Sequence, residues 1–144
     1  MYLKLKGRLK LITRDSRGTV LDVLDKDNLI VKGGREAVAK LLCGVHPRSF
    51  GYIQIGTGTR PPSSDDTALE SYYTEGRALT AYEPEYKAKW AYTFLFDESV
   101  TITEAGLFDA PITQDPVMLA RQTFSGRVML PGQTLEVVWV ITVS

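Results

Sequence analysis

Cys43 and His46 stand three positions apart, near enough for a thiol and an imidazole to share a metal ion, or for the imidazole to activate the thiol. A structural zinc needs four ligands, and the chain holds one Cys and one His. No flanking signature marks Cys43 as a nucleophile, and any His-based triad would have to use His46 as its base. Both read as structural, Cys43 as a buried helix residue and His46 as a surface or turn residue beside Pro47. Gly56-Thr57-Gly58 follows a strand, as phosphate-cradling loops do. No Lys stands at the required place, however, and a Pro61-Pro62 loop follows where a helix should open. These glycines read as a tight turn. Glu83 and Glu85 flank Pro84, and Asp97-Glu98 closes a strand; a glycosidase needs two carboxylates facing each other across a cleft, which spacing cannot supply. The aromatic series Tyr86, Trp90, Tyr92, Phe94 and Phe96 lacks the interleaved basic residues of a single-strand binder and reads as core. No catalytic, cofactor-binding or metal-binding residue is assigned, and enzyme chemistry is not expected.

The elements that position these residues form one domain. At 144 residues the chain can bury a substantial core but hardly two. Seventeen Lys and Arg balance seventeen Asp and Glu, whereas a dedicated nucleic-acid binder usually carries a basic excess. No apolar run approaches the roughly 20 residues that span a bilayer. The first residues alternate instead of forming an apolar leader. A single Cys fits a reducing compartment.

Leu3, Leu5, Leu9 and Leu11 alternate with Lys4, Lys6, Arg8 and Lys10, so residues 1–13 read as a strand with one oily and one basic face. Two readings stay open. The segment is a charge-protected edge strand, or an extended arm whose Leu3, Lys4, Leu5, Lys6, Arg8, Leu9 and Lys10 dock on an acidic partner. Residues 14–144 read as a single β-rich domain. Val20–Leu24 and Leu29–Val31 are strands, with Asp25-Lys26-Asp27-Asn28 as a turn between them. Gly33-Gly34 ends the second strand, Arg35–Cys43 is an amphipathic helix and Gly44 its C-cap. Tyr52–Ile55 is a strand, Arg60–Asp66 a loop, and a brief second helix carries Leu69, Tyr72 and Tyr73. Residues 75–82 are extended up to Pro84. Strands follow over 86–96, 101–108, 117–124 and 135–143. The last has apolar residues on both faces, including Val138 and Val140, so it is central or covered on both sides. The fold class expected is mainly β, a compact barrel or sandwich with two short helices and an extended N-terminal strand.

The strand from Tyr52 through Ile55-Gly56-Thr57-Gly58-Thr59 is followed by Asp66-Thr67-Ala68-Leu69-Glu70 and Arg77-Ala78. Next come Glu104-Ala105-Gly106-Leu107-Phe108, Met118-Leu119-Ala120-Arg121, Phe124 and Gly132–Trp139. This ordered series resembles small structural proteins of tailed bacteriophages, over roughly residues 28–143. Within that group the chain looks most like a head (capsid) decoration protein. The resemblance implies a β-tulip-like barrel and a homotrimer on the capsid exterior that cements the major capsid protein. It reaches tail-fibre and baseplate attachment modules as well. Glu104 and Arg121 are expected to pair across strands, and Gly106 to mark a bulge or a close backbone approach.

Overall fold

The computed structural model describes residues 4–46 and 48–144. Among the described residues nine strands run β1 (Leu5–Arg14), β2 (Val20–Ile30), β3 (Tyr52–Gly56), β4 (Tyr72–Arg77), β5 (Leu79–Glu83), β6 (Lys87–Leu95), β7 (Val100–Phe108), β8 (Met118–Met129) and β9 (Thr134–Val143). The helix α1 (Lys32–Leu42) follows β2, and a 3-10 turn covers Ile112–Gln114. Every pairing is antiparallel, in the spatial order β4-β3-β7-β8-β2-β1-β9-β6-β5.

Two strands turn the corners that nearly close this sheet into a barrel. The first part of β2 pairs with β1, and its end, Leu29 and Ile30, pairs with β8. Only Ala78 separates β4, which pairs with β3, from β5, which pairs with β6. Gly76 lets β4 approach β6 here, because a Cβ would lie 2.3 Å from the Tyr92 ring. The alternation of β1, β6 and β9 turns Leu9, Leu11, Trp90, Phe94, Leu135, Val137 and Trp139 into one core. The register sets Trp139 opposite both Leu9 and Trp90. Tyr86, by contrast, is exposed. As its two-faced apolar pattern requires, β9 is internal to the sheet.

From Leu5 to Arg14 the N-terminal segment is neither an edge nor a free arm. β1 lies between β2 and β9 and pairs with β9 along its whole length, Leu5 opposite Val143 through Arg14 opposite Thr134. Its oily face is consumed in this chain's own core, with Leu9 and Leu11 buried. Leu3 lies outside the described residues. The expected turn at Asp25–Asn28 is also replaced. These residues belong to β2, opposite Lys10, Leu9, Arg8 and Gly7. Arg8 reaches Asp25 at 2.8 Å and Asp27 at 2.9 Å. The acidic run that resembles a loop is the electrostatic complement of the basic strand.

Gly33 and Gly34 lie inside α1 and do not terminate a strand. A Cβ on Gly34 would sit 2.6 Å from the Leu119 carbonyl oxygen, so the helix crosses β8 at this point. Burial is concentrated there, with Gly34 and Ala37 buried and Val38 packed against the core, while the last residues of the helix are exposed. Cys43, just past the helix, is therefore exposed and not buried. Gly44 follows with φ +76, the left-handed conformation that ends a helix.

No second α-helix occurs among the described residues: Leu69 is in irregular chain, and Tyr72 and Tyr73 begin β4. The amides of Glu70 and Ser71 are taken by Glu104, a residue more than thirty positions later, so no local helix can use them.

Candidate functional site

The strongest concentration of charge is buried, and it organises a loop. An irregularity in the β7–β8 register between Ile102 and Glu104 changes the phase of β7. Ile102, Ala105 and Leu107 all join the core, while Glu104 turns to the outer face of the sheet. The segment from Thr57 to Ser71 covers that face. Leu69 packs there with Phe108, Met118 and Val31 in a second, smaller apolar cluster.

Under this loop the Glu104 carboxylate accepts five hydrogen bonds. Oε2 takes the amides of Gly58 at 2.7 Å and Ser71 at 2.8 Å. Oε1 takes the Glu70 amide at 3.0 Å, with Arg121 Nε at 3.2 Å and Nη2 at 3.0 Å. Arg121 also donates from Nη1 to Asp66 at 3.0 Å and from Nη2 to the Arg60 carbonyl at 3.0 Å. Arg60 bonds Asp66 at 2.8 Å. Glu70 accepts the amides of Thr59 and Arg60. The expected Glu104–Arg121 cross-strand pair is thus one edge of a larger network.

Gly56-Thr57-Gly58 serves this network. Cβ atoms on Gly56 and Gly58 would approach Glu104 Oε2 to 2.7 Å and 2.3 Å, so the glycines make room for a carboxylate instead of supplying a tight turn. Gly106 similarly leaves space for Leu69 and Phe108. Burial pushes the Asp66 carboxyl up, but the Ser63 amide, Arg60 and Arg121 outweigh it and hold it below the usual carboxylate range. The amides of Arg60 and Thr59 likewise lower the Glu70 carboxyl, and the bond to Asp66 raises the Arg60 guanidinium. Each polar group here faces another group of the same network, which makes it a clamp on the 57–71 loop.

His46 is not a surface residue. Its side chain is largely buried, with Nε2 2.9 Å from Asp109 Oδ2. Asp109 Oδ1 accepts the Val117 amide at 2.7 Å. The Cys43 thiol lies 3.6 Å from the Lys40 carbonyl. Glu83 is near Lys89 at 3.4 Å, and Glu98 accepts the Tyr73 hydroxyl at 2.6 Å. That bond pushes the Tyr73 phenol up to about 12.

No family model, no curated protein and no solved structure matches this chain.

The residues expected to bind a partner are split by the fold. Lys4, Lys6, Arg8 and Lys10 are exposed, but Arg8 is engaged by two aspartates. Leu9 is core, and Leu5 is half-buried. Lys4, Leu5 and Lys6 gather at one end of the barrel, where β1 begins and β9 ends. The surroundings of that end were not legible from local sequence, since they come from α1, β5, β6 and the 48–52 segment.

Proposed function

We propose that the protein is a non-enzymatic virion structural subunit of a tailed bacteriophage, which decorates the capsid exterior and cements neighbouring copies of the major capsid protein. One observation carries the reading. Gly56, Gly58, Asp66, Glu70, Glu104 and Arg121, scattered through the series of motifs that resembles phage structural proteins, meet in one network whose centre, Asp66, Glu104 and Arg121, is buried. A series that is unspecific piece by piece becomes a single physical device for holding a loop on a barrel. The device leaves no free nucleophile or base within it, so its role is in the fold. Exposed apolar side chains such as Leu42, Leu79, Tyr82 and Leu95 then favour work done through protein contacts.

The mechanism is multivalent. Each copy, within a homotrimer, makes a modest contact, and capsid symmetry multiplies it into high avidity. Mass spectrometry of separated heads and tails tests the reading, with light scattering of the purified protein for the trimer. Recovery with heads at a stoichiometry near that of the shell protein is the expected result. Recovery with tails alone overturns the capsid assignment in favour of a tail-fibre or baseplate attachment module.

A further inference from the structure

Three concavities open at one end of the barrel, and Val143 borders all of them. The largest, about 740 Å³, is floored by Phe50, Trp90, Leu119 and Ile141, which belong to the main core. These four side chains are themselves buried, and the apolar surface exposed at this end belongs to Leu41, Leu42, Tyr82, Tyr86 and Val143. α1 covers this end only in part, and Leu42 on the neighbouring concavity is 82% exposed. Tyr82 and Tyr86, 71% and 66% exposed, flank the third.

The charge around these openings is one-sided in a chain whose formal charges cancel. Lys4, Lys6, Arg35, Arg48, Arg77 and Lys87 line them. Among the described lining residues the one acidic side chain is Asp109, already held by His46, Arg48 and the Val117 amide. Among the described residues, Lys4, Lys6, Arg35, Arg77 and Lys87 enter no side-chain ion pair.

The geometry points to this barrel end as a docking groove for a segment of a partner protein in which apolar side chains are interspersed with Asp or Glu. The apolar side chains cover Leu41, Leu42, Tyr82, Tyr86 and Val143, which are exposed at this end. The carboxylates neutralise cations that any occupant would otherwise desolvate without a partner, and a basic segment is rejected by the same charges. The inference rests on the assembly reading for the partner's identity and moves the contact from the outer face of β1 to the end of the barrel. Its test uses the purified protein alone, so the result is separate from where the protein lies in a virion.

Fluorescein-labelled hexapeptides alternating Glu with Leu, Lys with Leu, and Glu with Ser are titrated with the full chain and followed by anisotropy. Emission from Trp90, which lines the groove, gives a second readout. The Glu–Leu peptide is expected to bind at least tenfold more tightly than either control and to lose affinity in 0.5 M salt, where charges are screened within about 4–5 Å. The combined substitution Lys4→Glu, Arg35→Glu and Lys87→Glu weakens it at least tenfold. Leu42→Ser weakens it several-fold, and Lys10→Glu with Arg17→Glu, both outside the groove, leaves it unchanged. Far-UV circular dichroism verifies that each variant is folded. Equal binding of the Lys–Leu peptide, no binding of the Glu–Leu peptide, or indifference to the groove variants overturns the proposal. Binding of dodecanoate without the Glu–Leu peptide also overturns it, reassigning the groove to a small anionic amphiphile.

Discussion

Glu104→Gln changes one atom's identity and no side-chain length, yet it should be among the most damaging substitutions in the chain. Both carboxylate oxygens are saturated by donors: Oε2 by the amides of Gly58 and Ser71, Oε1 by the amide of Glu70 and two nitrogens of Arg121. A glutamine amide must place its own NH2 group against one of these sets. Turned towards Gly58 and Ser71, it orphans two backbone amides; turned the other way, it orphans the Glu70 amide and leaves a fully buried guanidinium with Asp66 as its one carboxylate partner beside the Arg60 carbonyl. Each buried donor left unsatisfied costs about 1–3 kcal/mol. Two or three of them, after partial relaxation of the loop, cost about 3–5 kcal/mol. Domains of this kind are stable by only about 5–15 kcal/mol. At roughly 3 °C per kcal/mol for a chain of this size, the melting temperature should fall by about 10–15 °C. Urea denaturation followed by tryptophan emission gives the global cost. Amide exchange at Gly58, Glu70 and Ser71 gives the local one, with protection lost at these amides first. A denaturation midpoint equal to the parent's, together with intact protection of the three amides, would refute the view that Glu104 holds the loop.

Deletion of residues 1–12 should abolish cooperative folding, read by circular dichroism, because it removes most of β1, an internal strand; a truncated chain that still melts cooperatively contradicts the sheet order. Trp139→Ala and Trp90→Ala should each cost about 3–5 kcal/mol in urea denaturation, because both rings are in the core. Stability should fall as pH drops below about 4, because the folded state lowers the Asp66 and Glu70 carboxyls and gains from their charged forms only above their unfolded values. At the other extreme the Tyr73 phenol, raised to about 12 chiefly by its bond to Glu98, contributes stability that is present below about pH 10 and lost between about 10 and 12; ultraviolet titration of Tyr73→Phe against the parent isolates it. Cys43 should react with a thiol reagent in the native state, and Cys43→Ser should shift stability by no more than about 0.5 kcal/mol, since the residue is exposed.

The sequence by itself determined most of the strands and which of their faces is oily. Side chains on a strand alternate with a period of two, so Leu9, Leu11, Trp90, Phe94, Val137 and Trp139 announce an inward face before any partner strand is known. It also supplied the charged pair Glu104–Arg121 and the one clear helix. What it could not determine is everything that depends on a residue far along the chain. Asp25–Asn28 has the composition of a turn and becomes strand because Arg8, on the neighbouring strand, answers its charge. Leu69–Tyr73 has helical spacing and stays out of a helix because Glu104 claims its amides. The basic segment Leu5–Arg14 has the pattern of an edge and lies inside the sheet because β9 pairs with it from Leu5 to Arg14. The open barrel end, gathered from β1, β5, β6, β9, α1 and the 48–52 segment, has no local signature at all. Periodicity is a property of neighbours along the chain, whereas pairing, closure and the burial of charge are properties of neighbours in space, and only the tertiary structure decides those.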